Sequence, residues 1–221
     1  MGKIRRRQPL DLAFYRCKLP VPLWAPARFF VQSRYNLNMA KRLTAAFFNR
    51  PTLVVAKELL GCILCRKLGG EVVRLEITEV EAYDGFEDTA SHAHRGKTAR
   101  NAPMWGEAGR WYVYFTYGMH WMLNIVTGPK GFPAAVLIRG GRLLPAKGRF
   151  AEPKEVSGPA RLTKKLGIDR QLNGKEAASE SGLWIEEGNP RIRRKIKRTP
   201  RVGVANAGPT WSEKPFRFVS V

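Results

Sequence analysis

Glu76-Ile77-Thr78-Glu79-Val80-Glu81-Ala82-Tyr83-Asp84-Gly85-Phe86-Glu87-Asp88 is the stretch from which the rest of this 221-residue chain can be read. Its β-branched residues and its alternation predict a strand with side-chain period two that runs out at Asp84-Gly85. On that period Leu75, Ile77, Glu79, Glu81 and Tyr83 share one face, which is apolar at first, then acidic, then aromatic. The stretch also holds six of the 18 acidic residues of a protein whose net charge is +21. A chain this basic is suited to a polyanion, and clustered carboxylates oppose that binding. Such repulsion is tolerated where a carboxylate does chemistry on the bound polyanion. A glutamate at the end of this strand is therefore a candidate general base in a partly dry cleft. The alternative is an edge strand whose charges only prevent aggregation.

Upstream, Pro51 to Leu60 reads as a short helix, with Pro at its first turn and Gly61 as its stop. Strands are predicted near 62–68 and 72–83. Downstream, residues 84–110 form a long polar loop carrying Ser91-His92, Arg95-Gly96-Lys97 and Arg100-Asn101, and a loop of that length favours function. Two β-rich runs then flank Tyr117-Gly118, so a hairpin with Tyr117 at its tip is expected. Ala134 to Arg139 is a further strand. Ser157-Gly158-Pro159 introduces a helix in which Leu162 and Leu166 face inward and Arg161, Lys164 and Lys165 form a basic stripe. The basic run from Arg191 to Arg198 reads as a solvated strand face or as a backbone-phosphate contact. The fold class expected is α+β: one domain over residues 39–221, with a curved, mainly antiparallel sheet, flanking helices and a protruding hairpin. Residues 1–38 are expected to be a basic, disordered extension, because prolines and charges break their apolar run and organised patterning begins only near Lys41.

Composition narrows the partner. Lys and Arg outnumber Asp and Glu 39 to 18, which puts nucleic acid first and an anionic membrane surface second. No apolar stretch is long enough to span a bilayer. Cys17, Cys62 and Cys65 are an odd set, which argues for a reducing compartment rather than a disulfide framework. Cys62 and Cys65 have the spacing of a ligand pair but would face opposite ways on a strand, and His92, His94 and His120 add no zinc-type spacing, so no metal is expected.

Glu79-Val80-Glu81-Ala82-Tyr83, Glu87-Asp88, Ser91-His92, Arg100-Asn101, Tyr112-Val113-Tyr114, Tyr117-Gly118-Met119, Asn124, Val136-Leu137-Ile138-Arg139 and Gly158-Pro159 occur in this order. Together they resemble the alkyladenine (3-methyladenine) DNA glycosylases, over roughly Lys41 to Val219. The resemblance implies a monofunctional enzyme without cofactor or metal. It would bind duplex DNA containing damaged purines as a monomer, flip the lesion out and hydrolyse its N-glycosidic bond, leaving an abasic site. It would work where DNA lies: the nucleoid of a bacterium, or the nucleus or an organelle of a eukaryote.

By the same resemblance Glu81 is the base that activates water, and Arg139 with a backbone carbonyl near Val126 helps to hold that water. Tyr83 and Tyr114 sandwich the flipped base, His92 adds a wall and a hydrogen bond, and Asn124 crowds the amino group of guanine. Tyr117 is the wedge that fills the vacated stack. Arg100, Arg161, Lys164 and Lys165 are assigned to the DNA backbone. The chain departs from the family pattern at Val80 (usually Thr), at Ala99 (usually Pro) and at Gly140-Gly141-Arg142-Leu143, which follows Arg139 where Ala, a variable residue and Glu-Pro are typical. Trp121 is also bulky for its place in the hairpin.

Physical expectations agree with these roles. Extruding a base costs a few kcal/mol, and stacking on aromatic rings returns about 1–3 kcal/mol per base. Two other readings remain open at this point. One is a non-catalytic nucleic-acid binder using the same basic surface and hairpin aromatics. The other is a glycoside hydrolase using Glu79 and Glu81, which the strand rise would place about 7 Å apart.

Overall fold

The structure, a computed structural model, describes residues 41–146 and 151–221. The expected extension, residues 1–38, lies outside the described residues. Among the described residues two short helices come first, α1 (Ala45–Phe48) and α2 (Thr52–Leu59). Pro51 caps α2, and Gly61 follows it at a φ of +81° that a side chain would resist. Val55, Ala56 and Leu59 of α2 are fully buried.

β1 (Ile63–Leu68) and β2 (Glu71–Asp84) form a hairpin through Gly69-Gly70, both at positive φ. A second hairpin joins β3 (Trp111–Thr116) to β4 (His120–Val126), and β5 (Ala134–Leu143) returns beside it. Then follow β6 (Lys154–Ser157), α3 (Pro159–Lys165), β7 (Leu183–Glu186), β8 (Ile196–Thr199), α4 (Pro209–Ser212) and β9 (Arg217–Ser220). The strands make one sheet in the order β3-β4-β5-β2-β1-β7, with β6 on β5 and β9 joining β2 to β8. Among the described residues every strand pairing is antiparallel, in the expected α+β arrangement. β2 and β5 are its spine. The free edge of β2 is shared, β1 taking residues 71–76 and β9 taking 79–81. Likewise β4 takes 135–137 of β5 and β6 takes 140–143.

The expected single face of β2 is corrected by a bulge. The register steps from Ile77↔Gly141 to Glu79↔Gly140 and then to Val80↔Ile138. One extra residue in a strand reverses which side each later side chain takes. Leu75 and Ile77 therefore share the main core with Val80 and Ala82, all at 0% exposure. Glu79, Glu81 and Tyr83 turn to the opposite side, so the carboxylates are lifted off the core rather than buried in it. Strict alternation would have placed them there unpaired.

Glycines at the bulge let the backbones meet. A Cβ on Gly141 would lie 2.2 Å from Leu75 Cδ2 and 2.4 Å from Glu76 O. This gives the Gly140-Gly141 departure a steric reason. Gly141→Ala is expected to cost about 2 kcal/mol, as overpacking of a tight site does. For a protein of this size that lowers Tm by roughly 6 °C, which a thermal melt will show; an unchanged Tm would mean that the bulge relaxes freely.

The main core gathers Leu59, Leu64, Leu75, Ile77, Trp111, Leu123, Ile125 and Phe218. Cys62 belongs to this core and Cys65 to a smaller cluster with Ile63 and Trp184, so the two thiols face opposite ways as expected. Burial pushes both thiols up, Cys62 to about 11. In α3, Leu162 is fully buried, as is Leu166 just after it, while Arg161, Lys164 and Lys165 are exposed. Thr163 Oγ1 donates to Trp121 O at 2.9 Å, docking this helix on β4. The run 191–198 is not one strand: it divides into a 3-10 turn, Pro190–Arg194, and β8. No described helix is long and apolar enough to cross a membrane.

Candidate active site

The bulge turns Glu81 to the face opposite the main core, where it is fully buried. Its Oε1 accepts the Val202 N–H at 2.7 Å. Its Oε2 accepts the Tyr83 hydroxyl at 3.0 Å and Arg139 NH1 at 3.4 Å. An ionised carboxylate offers about four lone-pair positions, so three are taken and one, on Oε1, remains for a further donor. Burial raises the Glu81 pKa, against the pull of Arg139, of the Val202 N–H and of Tyr83. Arg139 is steadied from behind, its Nε donating to Glu79 Oε1 at 2.8 Å. Arg217 Nε donates to the same oxygen at 2.7 Å. Burial would raise Glu79 too, but these two arginines outweigh it and hold its carboxyl below the ordinary range. Burial would lower Arg139, yet Glu81 and Glu79 raise it and keep it charged. The two glutamates thus share one cation and differ in character: two arginines hold Glu79 as an anion, while burial raises Glu81.

In front of Glu81 lies a cavity of about 290 Å³. Tyr83 and Val202, both bonded to the Glu81 carboxylate, form part of its wall, so the carboxylate sits directly behind it. His92, Tyr112, Tyr114, Asn124 and Met104 line the rest, and Tyr117 reaches its mouth. The structure therefore brings Tyr83, His92, Tyr114 and Asn124 together around one space. The His92 and Tyr114 rings are 4.5 Å apart, and His92 Nδ1 is 2.9 Å from the Tyr112 hydroxyl. Partial burial and then the Arg100 charge lower the His92 pKa, which favours a neutral ring. Burial lifts Tyr114 to about 12, and burial with the nearby Glu81 charge raises Tyr83 well above its ordinary value. Asn124 is nearly buried, and its Nδ2 donates to Tyr112 O at 3.1 Å.

The long loop is tied down rather than free. Asn101 Nδ2 donates to His92 O at 2.7 Å and to Gly96 O at 3.0 Å. Ala102–Trp105 forms a 3-10 turn. Arg100 lies over the Tyr114 ring at 5.2 Å and donates to Phe115 O, which puts it at the cavity rim. Arg161, Lys164 and Lys165 do not line the cavity; they sit on the exposed side of α3.

At the hairpin tip Tyr117 is 80% exposed with Met119 beside it. Tyr117 and Gly118 both have positive φ, 51° and 65°, as a primed hairpin turn requires, and Met119 N–H closes the turn on Thr116 O. Holding a tyrosine there costs roughly 1–2 kcal/mol.

The Val126 carbonyl accepts the Gly109 N–H at 2.9 Å, beside the pairing of β4 with β5. The backbone group bonded to Glu81 is the Val202 N–H, which sequence reasoning did not name. Sequence reasoning also missed the segment Arg201 to Val204 that closes the cavity. Arg201 and Asp88 are both 0% exposed and form a bidentate pair at 2.5 and 2.8 Å. The only local signal was one arginine set among Pro200, Val202, Gly203 and Val204, after the basic run had ended.

A family model described as methylpurine-DNA glycosylase matches residues 46–221. The chain belongs to the methylpurine-DNA glycosylase family. It is accordingly an enzyme of the DNA glycosylase class, which hydrolyses N-glycosyl bonds. Relatives whose provisional name is 3-methyladenine DNA glycosylase are similar over most of their length. One from Streptomyces avermitilis is 42% identical over 187 residues, covering 80% of this chain and 86% of the relative. One from Carboxydothermus hydrogenoformans is 44% identical over 185 residues, covering 80% and 93%. One from Methanocella arvoryzae is 43% identical over 180 residues, covering 78% and 88%.

Proposed function

We propose that this glycosylase acts as a monomer on duplex DNA, through residues 39–221, and excises alkylated or deaminated purines such as 3-methyladenine. The damaged nucleotide is flipped into the cavity between Tyr83 and Tyr114, against His92 and Asn124. Water held by Glu81 then attacks C1′. Its oxygen bonds to the sugar, Glu81 takes its proton, and the purine leaves with the electron pair of the broken C1′–N bond. The product is an abasic site in an uncut strand. No lysine lines the cavity among the described residues, and an amine nucleophile would be needed for a lyase step.

One observation carries this reading: a fully buried glutamate, raised in pKa, with one lone pair open behind an aromatic cavity. A protein that only bound DNA would gain nothing from that costly group. The basic character that draws DNA sits in the surface of the same chain, at Arg100, Arg161, Lys164 and Lys165. A panel of duplexes, each with one lesion (3-methyladenine, 7-methylguanine, hypoxanthine or ethenoadenine), tests the proposal by alkali cleavage at the abasic site. Strand breaks on none of them would refute it; strand breaks before alkali would refute the monofunctional assignment.

Tyr117 is the wedge that fills the gap left by the flipped base. Tyr117→Ala removes an exposed ring and spares the core. Affinity for lesion duplex is expected to fall about tenfold, the worth of one lost stacking contact. Cleavage of the same lesion in a single strand should suffer less, because no stack has to be refilled. Equal losses on both substrates would recast Tyr117 as a pocket residue.

A further inference from the structure

We infer that Arg201 is a positioning residue: paired with Asp88, it clasps the closing segment so that the Val202 N–H and the Tyr83 ring hold Glu81 in its working place. The inference rests on the reading of Glu81 as the water-activating base.

Arg201 Nη1 donates to Ala82 O at 2.9 Å as well as to Asp88, and Nη2 donates to Trp211 O at 3.2 Å as well as to Asp88. Asp88 accepts in turn from the Asp84 and Ala90 N–H groups, both at 3.1 Å. One guanidinium therefore joins the end of β2, the loop after it and the segment before β9. Its plane also packs on the Tyr83 ring, 4.7 Å from the centroid, and on Phe216 at 5.3 Å. Two of the three donors to Glu81 are thus touched by one side chain: Val202 is its neighbour in sequence and Tyr83 lies beneath it.

A buried ion pair is a poor device for stability alone, because apolar residues of like volume often serve as well or better. What the pair adds is a rigid, directional fork that fixes the backbone of residue 202 to a fraction of an ångström. Val202 itself offers no other anchor, since its side chain is half exposed. The charged and titratable groups around Glu81 are Arg139, Glu79, Tyr83, Tyr114, Arg217 and the Arg201–Asp88 pair. Among them the Val202 N–H is the contact whose hold on Glu81 depends on the clasp. That N–H lowers the Glu81 pKa, so loosening it raises the pKa. Glu81 works only when ionised, so the acid limb of the pH–rate profile must then move to higher pH.

The test is single-turnover excision from purine-methylated duplex DNA, with the acid limb measured for wild type, Arg201→Lys and Val202→Pro. Arg201→Lys keeps the charge opposite Asp88 but loses the fork. Val202→Pro deletes the N–H while leaving the pair. Both are expected to shift the limb upward by about one pH unit, the worth of one hydrogen bond to a charged group. On the acid side of the limb both should lose about tenfold in rate, with duplex affinity unchanged. If Arg201→Lys melts earlier yet keeps the wild-type limb, the pair is only structural and the inference falls. If that variant does not fold, Val202→Pro decides alone: the same shift supports the inference, and an unshifted limb overturns it. Glu81→Gln measured in parallel separates the two levels. Activity in Glu81→Gln removes the base assignment itself, whereas a dead Glu81→Gln beside unshifted variants removes only the clasp.

Discussion

Glu81→Gln should abolish excision while leaving binding to lesion duplex within about twofold of wild type. The substitution is isosteric, but an amide keeps only one of the two acceptor oxygens and cannot take a proton from water. Loss of a general base costs typically 10²–10⁴-fold, and single-turnover kinetics at saturating enzyme measures that loss without interference from product release. The variant should also be no less stable than wild type. Glu81 is a carboxylate kept where burial disfavours its charge, so neutralising it relieves that cost. A near-normal rate for Glu81→Gln would transfer the role to another group. Glu79 is the poor alternative, because Arg139 and Arg217 both bond one of its oxygens and hold its carboxyl low.

The second large effect is expected on stability. Asp88→Ala leaves the Arg201 guanidinium charged, fully buried and without its carboxylate, and it frees the Asp84 and Ala90 N–H groups as well. Breaking one side of a buried pair costs about 3–5 kcal/mol, which for a chain of this length lowers Tm by roughly 10 °C. Replacing both partners together, Asp88→Leu with Arg201→Met, should recover most of that loss, since no uncompensated charge remains. Calorimetry on the two variants checks the pattern. A mild Asp88→Ala and a severe double variant would mean that the stem of Arg201, not the ion pair, is what packs.

The β-hairpins, the short helix before Gly61 and the inward leucines of α3 were legible because each rests on local rules of period, cap and turn. Tyr117 at a hairpin tip was legible for the same reason. The bulge was not, because nothing in Ile77-Thr78-Glu79 marks an extra residue; the cause lies in β5, where Gly140 and Gly141 permit the close approach. A side-chain period of two therefore assigned Glu79 and Glu81 to the wrong face while still singling out both carboxylates. Val202 was invisible for a different reason. Its contribution is a backbone N–H, which any residue but proline supplies, and it acts on a glutamate 121 positions away. Arg201 was hidden by its setting, one cation more in a chain rich in them.

The division of one edge of β2 between β1 and β9 has a consequence for how the protein comes into being. β1 is the immediate sequence neighbour of β2 and can pair with it as soon as both leave the ribosome. The half that carries Glu81 waits for β9, whose residues 217–220 lie far along the chain from β2. Until they arrive, Glu81 lacks the Val202 N–H and Glu79 lacks Arg217. The frame can thus assemble early while the surroundings of Glu81 are completed later, and such distant pairing is the slow kind. A chain cut short before residue 200 would retain the spine and its hairpin and would lack the parts that make Glu81 work.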